Sequence, residues 1–291
     1  MCGKEYTMKA KALMADYAEN NRFQLACQAY EQAVALSREH LPMEELAGIL
    51  SETAKFSHKH NAFRLSEKYY IECLNCYRHL VGSNPEVYES DLSDTLNSLA
   101  ILYSDTQRFS ESEAMYQEAL EIRRRLATAN PEAYEPDVAM TLNNLASLYM
   151  NTQRFSESEA ICLEALDIYN HLTKEYPQYR PKMNYTLNFL RNMYEEIRQS
   201  STNKNRRRSY IRIFWQWITR KNGPDVAAAF CDLADIYQKN QNFSYAESMY
   251  EEALEIYCRL TKENPKVYDI YVTCMQSNLE MLHEKTFDNT K

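Results

Sequence analysis

Thr95–Ile122 reads TLNSLAILYSDTQRFSESEAMYQEALEI, and Thr141–Ile168 reads TLNNLASLYMNTQRFSESEAICLEALDI, 46 residues further on. A chain that repeats itself at a fixed period of this length folds as an array. Each copy is one supersecondary unit, able to bury its apolar face only against its neighbours.

The repeat extends outward from these two copies. With the leucine of the Leu-Ala pair as anchor, Leu99 and Leu145 are joined by Leu13, Thr53, Leu190, Leu233 and a last partial copy at Leu279. The successive spacings are 40, 46, 46, 45, 43 and 46 residues. The array therefore spans nearly the whole chain and predicts one domain over 1–291. Pro85, Pro131, Pro177 and Pro265 mark the joints, where proline suits a loop but not a helix interior.

Within a copy the apolar spacing is helical. Leu99, Ala100, Leu102 and Tyr103 form one stripe, and Tyr116, Ala119, Leu120 and Ile122 form a second. The polar run Asp105-Thr106-Gln107-Arg108-Phe109 separates them as a turn. Ser110-x-x-Glu113, Ser156-x-x-Glu159 and Ser244-x-x-Glu247 read as capping boxes that open the second helices. Each copy is thus predicted to be a helix–turn–helix.

A period of 40–46 fits HEAT, armadillo and long tetratricopeptide repeats alike. The pattern of small and aromatic residues is more specific. It runs Leu13, Tyr17, Ala26, Tyr30 and Ala33 in the first copy, and Leu233, Ala234, Tyr237, Ala246, Tyr250 and Ala253 in a late one. Small residues let two helices approach closely while tyrosines fill the space between copies. This resembles the tetratricopeptide repeat, in the long variety found in kinesin light chains and many bacterial repeat proteins. Pro136–Tyr149, PDVAMTLNNLASLY, follows that variety's typical string. The resemblance covers roughly residues 8–285 and is weakest over 199–222.

It implies an all-α, α–α superhelical solenoid of about six repeats with a C-terminal capping helix over 267–284. The repeats are expected at about 6–40, 44–83, 90–130, 136–176, 183–221 in degenerate form, and 224–264. In that family the first helix of each repeat lines the concave groove. Asn97, Asn143 and Asn188, joined by Asn144 and Asn192, recur on that helix. An amide both donates and accepts, so this ladder can read an extended peptide backbone or hold adjacent repeats in register. Lys55, His58 and Lys59 make an early copy basic, whereas Asp232 and Asp235 make a late one acidic.

The one segment that departs from the code is Lys204–Lys221, KNRRRSYIRIFWQWITRK. Residues 198–221 carry eight Lys or Arg and no Asp or Glu, so the remainder of a chain at −8 sums to −16. Trp215 and Trp217 are the only tryptophans. The segment reads either as a divergent second helix or as a docking patch, with Arg206, Arg207, Arg208, Arg212, Trp215 and Trp217 meeting an acidic surface. A strongly acidic remainder argues against nucleic acid as the main partner.

Other chemistries find little footing. Four glycines leave no phosphate-cradling loop, and no apolar run approaches a membrane span. The N-terminus MCGKEYTMKAK lacks a signal-peptide core, which predicts a cytoplasmic protein with reduced thiols. Cys73, Cys162, Cys231 and Cys258 fall at or beside helical packing positions, where cysteine acts as a small hydrophobe. Cys73-x-x-Cys76 has metal spacing but no second pair to complete a site, and His58 and His60 point to different helix faces. No catalytic residue, metal or cofactor is expected. The sequence predicts a non-enzymatic adaptor that holds a peptide or protein partner in its groove. The alternative is a regulator whose curvature responds to a bound peptide or ligand.

Overall fold

The structure is a computed structural model that describes Glu5 and residues 22–200, 224–239 and 243–288. The described residues are helical with short connections and contain no strand. The chain divides into two compact units, Met1–Arg154 and Phe155–Lys291. The first holds α1 (Arg22–His40), α2 (Met43–Lys59), α3 (Phe63–Ser83), α4 (Pro85–Asp105), α5 (Phe109–Ala129) and α6 (Pro131–Asn151). The second holds α7 (Phe155–Glu175), a 3-10 turn (Pro177–Tyr179), α8 (Arg180–Ser200), α9 (Pro224–Lys239), α10 (Phe243–Glu263) and α11 (Pro265–Asp288).

In the first unit each helix packs on the next in chain order. The core is a strip, continuous from Ala33 on α1 to Ile122 on α5. Both predicted stripes, Leu99/Ala100/Leu102/Tyr103 and Tyr116/Ala119/Leu120/Ile122, are buried. The small positions explain the close approach within a pair. The Ser112 hydroxyl on α5 donates to the Ala100 carbonyl on α4 at 2.8 Å, and Ser66 donates to Ala54 at 2.9 Å. A side chain larger than serine or alanine would hold these helices apart.

The turns between paired helices share one geometry. Asn61, Gln107 and Gln153 have φ near +60°, and the following amide reaches back five residues. Arg108 N–H donates to the Tyr103 carbonyl and Arg154 N–H to that of Tyr149, each at 2.8 Å. This is the Schellman closure of a helix C-terminus, with glutamine holding the left-handed position that glycine takes most easily.

One expectation is corrected here and another is refined. The serines do not cap. α5 begins at Phe109 after an N-cap Arg108 that makes no side-chain cap bond, so Ser110 already lies in the first turn. α7 and α10 begin at the equivalent Phe155 and Phe243, which places Ser156 and Ser244 inside too. The closed turn starts each helix before its serine. The prolines sit at the joints, three of them (Pro85, Pro131 and Pro265) as the first residue of a helix and Pro177 as the first of the 3-10 turn. Pro85 and Pro131 occupy the first helical position, where the missing N–H has no partner to lose, and Asn130 Oδ1 caps α6 by accepting from Ala133 N–H at 3.3 Å. Pro136 lies buried in the second turn of α6, forgoing one ladder hydrogen bond.

Candidate interaction faces

In the first unit, the second helix of one repeat is locked to the turn of the next. The Arg108 guanidinium lies over the Tyr103 ring, 4.1 Å from its centre, and bonds Glu67 on α3 at 2.5 Å. One period on, Arg154 lies 3.9 Å over Tyr149 and grips Glu113 on α5 at 2.6 and 3.0 Å. Tyr149 also donates its hydroxyl to Glu113 at 2.8 Å. Glu113, read from the sequence as half of a capping box, instead ties two repeats together.

The first helices are stitched to one another by the residues that the ladder singled out. Asn144 Nδ2 on α6 donates to Asn97 Oδ1 on α4 at 3.2 Å, and His58 Nε2 on α2 shares a 2.8 Å hydrogen bond with Asp105 Oδ2 on α4. Asn97 and Asn143 are only 6% and 8% exposed. In the second unit, the Tyr237 hydroxyl on α9 donates to Asn188 Oδ1 on α8 at 2.6 Å, and Arg191 stacks 4.2 Å over the same ring. Asn192, Lys55 and Lys59 are exposed. Lys55 offsets part of the charge around Asp91, whose carboxyl is pushed up by burial and by Asp94 and Glu44. Arg206, Arg207, Arg208, Arg212, Trp215 and Trp217 lie outside the described residues.

The second unit also contains an open hollow of about 570 Å³ against one face of α8. Pro177 and Pro181 provide apolar wall, and Tyr185, at 57% exposed, stands over it. Arg180 and Asp232 bring opposite charges to its lining. Asn184 and Asn188 complete it, and Asn184 Oδ1 is buried with no hydrogen-bond partner. An unmatched buried acceptor beside an open apolar surface is a polar group whose pairing, on a small side-chain shift, would be favourable. Arg180, Asn184, Tyr185 and Asn188 lie at steps of four, one and three along α8, which is the only signal of this face in the sequence.

The cysteines are placed by packing. Cys73 is fully buried at the position that Ala119 and Ala165 occupy elsewhere, and its thiol donates to the Ala47 carbonyl at 3.3 Å. Burial pushes the Cys73 and Cys162 thiols up to about 12. Cys258, expected at or beside a packing position, is exposed next to the buried Tyr257. Among the described residues, no three His, Cys, Asp or Glu side chains converge to hold a metal ion, and no helix is long and apolar enough to cross a membrane.

The tetratricopeptide-repeat family model matches residues 92–128, 138–173 and 226–265. These stretches are tetratricopeptide repeats. The matched stretches overlap the third, fourth and sixth repeats read from the sequence, so the small-residue contacts and Schellman turns described above are features of this repeat. Among solved structures, the apo form of RapI aligns with a TM-score of 0.51 at 15% identity, over 89% of this chain and 99% of that one. BtubC (BKLC) from P. vanneervenii aligns at 0.43 and 20% identity, over 91% and 85%. A Rap protein complexed with competence and sporulation factor aligns at 0.45 and 15%, over 95% and 75%. No curated protein matches the sequence significantly.

Proposed function

We propose that this repeat protein is a non-enzymatic, cytoplasmic interaction module that holds an extended peptide segment of a protein partner against its first helices. The observation that carries the reading is the hollow on α8, lined by prolines, Tyr185 and Asn184, whose side-chain oxygen is buried there without a hydrogen-bond partner among the described residues. An extended peptide supplies backbone N–H groups for that oxygen and an apolar side chain for the wall. Arg180 and Asp232 add charge of both signs to the lining. The fold supports the reading as well, because helix-hairpin arrays present long faces rather than enclosed reaction sites. In this assignment Asn188, Asn192 and Tyr185 touch the partner. Asn97, Asn143 and Asn144 act mainly by holding register, and Lys55 and Lys59 contribute exposed charge.

The test is selection of peptides from a random display library on the full chain, followed by affinity measurement on variants. Tyr185→Ala and Asn184→Leu are expected to weaken selected peptides by about 1–2 kcal/mol each, with the unfolding midpoint unchanged. Asn144→Ala is expected to lower stability and leave the affinity of the folded fraction intact. Failure to enrich any peptide, or peptides indifferent to Tyr185→Ala and Asn184→Leu, would sink the proposal.

A further inference from the structure

α11 ends the second unit and carries two different faces. Met275 and Leu282 are buried, and Met275 Sδ meets Cys231 Sγ of α9 at 3.2 Å. Three repeats earlier, Ala139, Leu142 and Ala146 on α6 are fully buried contact positions. Their counterparts on α11 are Thr273, Gln276 and Glu280, all exposed. Small and apolar residues have become polar where a paired second helix would pack, so this side of α11 is finished as a cap.

The adjoining stripe is not finished in this way. Val267, Ile270, Tyr271, Cys274 and Met281 are exposed, with Ile270 at 72%. Their spacing of three and four puts them on one side of the helix. Four of the eight large hydrophobic side chains exposed among the described residues lie here, which makes this a patch and not scatter.

We propose that this stripe is the interface of a two-fold homodimer in which α11 of one copy lies antiparallel on α11 of the other. The two ends of the stripe are matched to their own reverse, while Ile270 and Tyr271 of one copy lie over Asn278 and Ser277 of the other. Val267 and Met281 stand seven residues on either side of Cys274. An antiparallel copy therefore sets Val267 on Met281 twice and brings the two Cys274 side chains together near the axis. Charge points the same way. Lys266 and Glu280 are exposed along one edge of the stripe, near its two ends. Antiparallel pairing puts Lys266 of each copy beside Glu280 of the other, whereas parallel pairing stacks like on like. A self-complementary face closes after two copies and leaves no apolar surface to propagate a filament.

The test is sedimentation of the full chain without peptide across a concentration series, so its outcome is separable from that of the peptide-binding proposal. The mass is expected to double from 34.3 kDa. Ile270→Asp, at an exposed position, is expected to raise the dimer dissociation constant about tenfold or more while the helical signal is unchanged. Lys266→Glu and Glu280→Lys are each expected to weaken the dimer, and the double reversal to restore it. Diamide oxidation is expected to cross-link dimers through Cys274, with Cys274→Ser abolishing the cross-link and Cys258→Ser preserving it. A chain that stays monomeric, a dimer untouched by Ile270→Asp, or a double reversal that restores nothing overturns the proposal.

Discussion

Arg123 is the residue whose environment is hardest to guess. It lies in the run Arg123-Arg124-Arg125, which looks like a solvated patch, yet it is 1% exposed. Its guanidinium reaches Ser93 Oγ at 3.2 Å, the Asp137 carbonyl at 3.1 Å, and Thr141 Oγ1 and Asp94 Oδ1 at 2.5 Å. It thus bridges α4 and α6 from α5. The equivalent positions in other repeats are the buried Tyr77, Tyr169 and Tyr257, so arginine here replaces an aromatic filler. Arg123→Ala should cost about 2–4 kcal/mol, through lost packing and unmatched hydroxyls, in denaturant unfolding. Glu252 on α10 shows the opposite case. Burial, and then the neighbouring Glu255 and Glu251, push its carboxyl up to about 7 from 4.5. The native state therefore keeps a proton that the unfolded chain loses as pH rises from about 4.5 to 7, and stability falls across that window. Glu252→Gln should stabilise by about 2–3 kcal/mol at pH 8 and by little at pH 4.5. Equal effects at both pH values would exclude this account.

At the scale of the helix pair, the turn and the contact seam carry the specificity. Gln107 sits at φ +60°, where a Cβ is disfavoured and glycine is not. Gln107→Gly should raise the unfolding midpoint, by about 0.5–1 kcal/mol in stability, because the relief of strain exceeds the added chain entropy. The seam between α4 and α5 has no such slack. Ala100 is fully buried and its carbonyl receives Ser112 from across the pair. Ala100→Phe should overpack the seam and cost about 1–3 kcal/mol, seen as earlier unfolding and faster amide exchange in α4 and α5. An unaffected variant would mean that the helices are not in contact at this position.

Across the whole molecule, access to the buried thiols reports opening of the array. Cys258 and Cys274 are exposed, whereas Cys73 and Cys162 are buried and kept protonated at neutral pH. Maleimide should modify the first pair in the native protein and the second only as repeats open, so their labelling rate should rise with denaturant. Immediate labelling of Cys73 would place it outside the core. The repeated Leu-Ala-x-x-Tyr strings, the Ala119 and Ala246 positions and the prolines at the joints made the helix pairs legible in the sequence. These are local choices, and a helix writes its buried face into residues three and four apart. The roles of the polar residues were not legible. Asn144 meets Asn97 from 47 residues away, Arg154 takes Glu113 from 41, and Arg123 reaches Thr141 from 18. Nothing in a residue's own neighbourhood records which distant oxygen packing will bring within 3 Å, so the asparagines could be named in advance while their partners could not. The hollow on α8 and the open stripe on α11 have the same origin. The sequence by itself determined an all-α array of helix hairpins, because periodicity and small contact residues are local properties. Only the tertiary structure decided which amides are spent on register and which apolar side chains remain exposed, because both depend on which faces the packed helices leave uncovered.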